Sequence, residues 1–208
     1  MTEFTWIAPA LAAFIVIVPA ELPDKTFVAT LVLATRFPPR AVWFGVTAAF
    51  AVQCAVAVAA GGLLALLPRS LVLAASAVLF AIGAFVTIRG GLRSRAEERD
   101  VEAEEARDTE AAIAERSLSP VLTSFLVLFA AEWGDLSQLL TAGLAARYHA
   151  PIPVFFGSLT ALALVAGVAV LAGRWLQERV PLGRIRLIAG ALLALLALVS
   201  AVEAIRLL

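Results

Sequence analysis

The chain holds 208 residues, 62% hydrophobic and 15% charged, with a mean hydropathy of +0.97. Sixteen basic residues balance sixteen acidic ones, so no net charge draws the chain to nucleic acid, and one Cys with one His cannot build a disulfide framework or a zinc site of the usual ligands. A soluble domain carries about 45–50% apolar and about 25% charged residues, which leaves an all-α integral membrane protein as the class that fits.

A helix needs about 20 mostly apolar residues to cross a hydrocarbon core of about 30 Å. Six stretches qualify, at 4–35, 41–67, 70–88, 120–146, 153–173 and 185–207, separated by turn signals such as Phe37-Pro38-Pro39-Arg40, Pro68-Arg69 and Val180-Pro181-Leu182-Gly183. Barrel strands would be about half as long and strictly alternating, a pattern the chain lacks. The first stretch follows Glu3 and no basic residue, unlike the start of a cleavable signal, so it is expected to persist as a span. The predicted architecture is a six-helix polytopic protein. Basic residues then set its orientation. Twelve arginines fall on the side of the first-second, third-fourth and fifth-sixth connections, against Arg69, Arg147 and Arg206 on the other. This predicts a multi-pass protein of the inner (plasma) membrane with both termini outside the cytoplasm and the 91–118 connection inside. That connection carries nine carboxylates among its arginines and reads as a solvated charged helix, with cation collection as the functional alternative.

The two halves match each other. Glu21-Leu22-Pro23-Asp24-Lys25-Thr26 aligns with Glu132-Trp133-Gly134-Asp135-Leu136-Ser137. The register continues without a gap through Thr30 on Thr141 and Arg36 on Arg147. After one inserted residue, Trp43-Phe44-Gly45 meets Phe155-Phe156-Gly157. Residues 1–90 and 119–208 are therefore expected to be two three-helix repeats. An odd number of spans per repeat inverts the second copy, and such folds place binding sites near the midplane at the repeat interface.

Twelve of the acidic residues have an aqueous explanation. The other four, Glu21, Asp24, Glu132 and Asp135, lie inside apolar spans. An acid at the centre of a span costs about 2.5–3.5 kcal/mol even on a lenient insertion scale, so four together mark a site or pathway. Each pair is spaced i,i+3, which puts both acids on one helix face. Pro19, Pro23 and Gly134 are expected to break those helices and free backbone carbonyls as further ligands, with Thr26, Ser137 and Gln138 adding neutral oxygens. Two such spans crossing would gather the four carboxylates into an all-oxygen cage suited to Mg²⁺, Ca²⁺ or Mn²⁺. Clustering also favours protonation of the empty site, so metal and protons would compete for the same oxygens. Lys25 reads either as a tethered counter-cation displaced by metal or as a fixed partner of a neighbouring acid. Gln53 could face the site or hydrogen-bond a neighbouring helix, and Trp133 could gate the site or pack against it.

Paired motifs of the form Glu-x-Gly-Asp-(Lys/Arg)-(Thr/Ser), one per three-span half, are the hallmark of the GDT-type divalent-cation transporter family, which this sequence resembles over essentially its whole length. The resemblance implies transport of Mn²⁺ or Ca²⁺ as cargo against protons, with bacterial members acting as manganese exporters. It also implies acidic ligands at Glu21, Asp24, Glu132 and Asp135. Pro23 stands where the family has Gly, and Leu136 where it has a basic residue. The expected function is Mn²⁺ efflux by proton antiport, with Ca²⁺/H⁺ antiport the nearest alternative. A passive cation channel or an intramembrane acid–base hydrolase are the readings of another class. No enzymatic activity and no resident cofactor are expected. The partners are the metal ion, protons and the bilayer, with the protein a monomer or homodimer.

Overall fold

A computed structural model describes residues 2–21, 25–92, 95–114, 118–179 and 182–207, with side chains for all of these except 2–5, 25, 95–96, 98, 172–179 and 182–186. Among the described residues the structure is helical, with no strand. The helices are α1 (Thr2–Glu21), α2 (Lys25–Arg36), α3 (Pro39–Leu64), α4 (Arg69–Gly91), α5 (Arg95–Ala114), α6 (Pro120–Ala131), α7 (Leu136–Tyr148), α8 (Pro151–Arg179) and α9 (Leu182–Arg206).

The local sequence explains most of the helix ends. Pro39 and Pro120 sit in the first turns of α3 and α6, where a missing N–H costs nothing. The Ser119 hydroxyl accepts from the Leu122 N–H at 3.4 Å, capping α6. His149 takes a left-handed conformation, φ 49°, to close α7 two residues before Pro151 opens α8.

Four stretches are long and apolar enough to cross a membrane: Pro39–Leu64, Arg69–Gly91, Pro151–Leu171 and Leu187–Arg206. Among the described residues, α1 and α2 in the first predicted span pass the same test together as a pair bent by 72°, which makes a fifth if the pair is one span. The predicted span at 120–146 is likewise not one long helix, in keeping with the break expected at Gly134. There α6 has 12 residues and α7 has 13, each about 18–20 Å long at 1.5 Å per residue and too short to cross alone. Both breaks fall at the acidic motifs.

α4 lies along α9, α1 packs on α8, α3 packs on α6, α7 and α8, and α2 packs on α8 and α5. The central cluster is apolar and includes Ile17, Leu33, Val42, Phe80, Leu128, Leu140 and Leu193. Large apolar side chains also face outward, among them Phe44, Phe85, Phe156, Leu195 and Leu198. Such a surface is costly in water and suits lipid.

The 91–118 connection does form a helix, but α5 is not fully solvated. It lies against α2 and α6, with Thr109 buried and Ala112 and Ile113 packed on the central cluster. Arg36 at the end of α2 donates to Glu110 at 3.1 Å.

Candidate metal centre at two broken helices

Glu21 is the last residue of α1 and Glu132 follows the last residue of α6, and each is 2% exposed. Both carboxylates thus sit at helix C-termini, where the macrodipole is negative. That placement raises the cost of the anion and adds to the attraction for a cation. Beyond Glu132 the chain turns through Trp133 and Gly134, whose φ of +80° is open to glycine without steric penalty. Asp135 then caps α7, its Oδ2 accepting from the Ser137 N–H at 3.5 Å. The motif therefore reverses backbone polarity within three residues, from the carbonyl end of α6 to the N–H end of α7.

The second turn is tied to α3. Gln53 Nε2 donates to the Phe129 carbonyl at 3.2 Å, one turn before Glu132. Its neighbour Cys54 is also buried. Gln138 holds the second turn from the other side. Its Nε2 donates to the Glu132 carbonyl at 2.5 Å and its Oε1 accepts from the Gly134 N–H at 3.3 Å. The broken helices are expected to free backbone carbonyls, and at this turn those of Phe129 and Glu132 accept from glutamine amides.

Ser137 is buried at the start of α7, and Thr26 and Thr30 are buried on α2 with hydroxyls that have no hydrogen-bond partner among the described residues. Thr141, which aligns with Thr30, donates to Ser158 at 3.1 Å. Trp133 is 58% exposed and its ring lies 4.9 Å from that of Phe129, which stacks on Phe125, so it continues an aromatic row along α6 instead of covering the turn. Asp24 and the side chain of Lys25 lie outside the described residues, as does Pro23. Among the described residues no group of three carboxylate, imidazole or thiol side chains stands close enough to hold an ion, and Asp24, one of the four acids expected to converge, lies outside them. Like charges in a low dielectric repel, which opposes gathering them without a cation.

A cavity of 420 Å³ reaches Glu132. Its walls are Ala29 of α2, Val127, Ala130 and Ala131 of α6, and Glu105, Asp108, Thr109 and Ala112 of α5. The charged connection therefore borders the approach to a motif acid, a role the sequence reading missed. The signal was present: Val101, Glu105, Thr109, Ala112 and Ile113 recur at helical spacing and form the inward stripe of α5.

The family model for the divalent cation/proton antiporter GDT1 matches the chain in two segments, residues 9–95 and 120–207. GDT1-like protein sll0615 of Synechocystis sp. is 33% identical over 209 residues, covering 96% of this chain and 97% of that protein. GDT1-like protein 4 of Oryza sativa subsp. indica is 28% identical, covering 87% of this chain and 68% of its own length. GDT1-like protein 3 of Arabidopsis thaliana is 26% identical, with 87% and 66% covered. No solved structure matches the chain.

Proposed function

The chain belongs to the GDT1 family of divalent cation/proton antiporters, and we propose that its two acidic turns form one site that exchanges Mn²⁺ for protons. The ligands in this reading are Glu21, Asp24, Glu132 and Asp135, with Thr26 and Ser137 as neutral oxygens. The observation that carries it is the burial of Glu21 and Glu132, at matched positions of the two motifs, on the C-terminal ends of two broken helices. Packing alone gives no reason to bury a carboxylate at the negative end of a helix dipole, whereas a cation site does. The donors are mostly carboxylate and hydroxyl oxygens, which favour hard divalent ions, Mn²⁺ or Ca²⁺, over zinc and copper.

Two inverted halves are supported by paired close contacts. A Cβ on Gly45 of α3 would collide with the Val121 carbonyl of α6, and one on Gly157 of α8 with the Ala10 carbonyl of α1. Gly45 aligns with Gly157, and Ala10 aligns with Val121 at the motif's own offset, so these are one contact made twice. The helix neighbours exchange in the same way: α1 on α8 corresponds to α6 on α3, and α2 on α8 to α7 on α3.

In this reading the ion draws the two turns together through the contacts it makes with both as it binds. A ligand shifts a conformational equilibrium only through such differential contacts. Protonation neutralises the same carboxylates, and metal affinity accordingly falls as pH falls. With the arginine-rich side in the cytoplasm, α5 and the cavity at Glu132 face inward, which suits loading of cytoplasmic Mn²⁺ for export across the plasma membrane.

Proteoliposomes containing a metal-sensitive dye test this. Mn²⁺ flux should accelerate under an imposed pH gradient and move protons in the opposite direction, with Ca²⁺ slower. Flux indifferent to the gradient would indicate a channel, and wild-type rates in Glu21→Gln or Asp135→Asn would overturn the site.

A further inference from the structure

We propose that Gln53 and Gln138 are positioning residues that hold the second acidic turn for ion binding, so that this turn offers the ion carboxylate oxygens and keeps its backbone for scaffolding. The inference rests on the site proposed above. A helix that stops at Ala131 leaves its last carbonyls without intrahelical partners, and inside a membrane water cannot satisfy them. Gln53, 2% exposed on α3, takes the Phe129 carbonyl. Gln138 donates to the Glu132 carbonyl, which also accepts from the Asp135 N–H at 3.2 Å, and with its own oxygen accepts from the Gly134 N–H. That orientation of the Gln138 amide is fixed by its surroundings, because the flipped form would set N–H against N–H and oxygen against oxygen. Glu132 is thereby gripped at its own carbonyl and one turn upstream, from two different helices.

The first half answers the same need differently. In the register of the repeat, Phe27 occupies the place of Gln138 and Val165 the place of Gln53. Phe27 and Val165 are both buried and belong with Ala169 to a small apolar cluster of their own, separate from the central one. One pair of positions is thus an amide grip on backbone in one half and an apolar contact in the other. If these positions served packing alone, an apolar pair would suffice twice. The amides stand beside the turn whose glycine has positive φ and whose polar backbone needs partners. The two halves are consequently inequivalent at these positions: the second has a hydrogen-bonded frame there, and the first has a packed apolar pair.

The test uses the full-length protein in proteoliposomes with Mn²⁺ alone as probe, comparing Gln138→Met and Gln53→Met with wild type and with Val165→Ala. Supporting groups behind metal ligands are worth about 10–100-fold in affinity, so each Met variant should raise KM for Mn²⁺ by about tenfold while kcat stays within about twofold. Val165→Ala should lower thermal stability without moving KM. The two glutamines lie on different helices, so loss of folded protein in one variant leaves the other to decide. Wild-type KM in a folded Met variant overturns the positioning role, as does a loss of thermal stability without a KM shift. Glu132→Gln separates the two levels: if it is inactive while the Met variants keep wild-type KM, only the positioning role falls, and if it transports normally the site itself falls.

Discussion

Replacing Glu132 with Gln changes charge and leaves size almost constant at a residue 2% exposed. The change removes an anion from the negative end of α6, and the quantity that reports on metal ligation is the gain in thermal stability on adding Mn²⁺. At a free Mn²⁺ concentration of one hundred times Kd, binding stabilises the wild type by about 2.7 kcal/mol. For a chain of this size each kcal/mol moves Tm by about 2–4 °C, giving a rise of about 5–10 °C. If the lost carboxylate weakens binding about 100-fold, the same concentration equals the variant's Kd and the gain shrinks to about 0.4 kcal/mol, or about 1 °C. Thermal unfolding followed by intrinsic tryptophan fluorescence in detergent, with and without Mn²⁺, reads both quantities. A variant that keeps the full Mn²⁺-induced shift would refute the assignment of Glu132 as a ligand.

The paired helix approaches should be equally intolerant of bulk: Gly157→Ala and Gly45→Ala each force a methyl group against a backbone carbonyl and should cost about 1–3 kcal/mol, whereas Gly62→Ala, which meets open space, should be neutral by thermal unfolding. The two aligned arginines should differ. The side chains of Arg36 and Glu110 are 57% and 51% exposed, so Arg36→Gln should change stability by less than about 1 kcal/mol. Arg147 is 12% exposed and donates to Ser200 at 2.6 Å and Glu203 at 3.2 Å, so Arg147→Gln should cost about 1–3 kcal/mol in the same assay.

Much of this was legible in the residues themselves. Hydropathy alone gives a helical membrane protein, because water and lipid sort side chains by polarity whatever their partners. The register of two acidic motifs is the basis on which a repeat is proposed, and Gly134 locates the break between α6 and α7 because glycine widens the backbone angles open to a turn, whereas Pro19, expected to break the first helix, lies inside α1. The inward stripe of α5 was also readable, yet its charges outweighed its Thr109, Ala112 and Ile113 until α2 and α6 gave that stripe something to pack against. Only the tertiary structure decided that the carbonyls of Phe129 and Glu132 are held by Gln53 and Gln138, that Trp133 faces outward, and that the cavity at Glu132 borders α5. Each of these depends on which partner lies across the gap. A sequence fixes the groups that must be satisfied, whereas the choice among candidates far apart along the chain belongs to how the helices assemble.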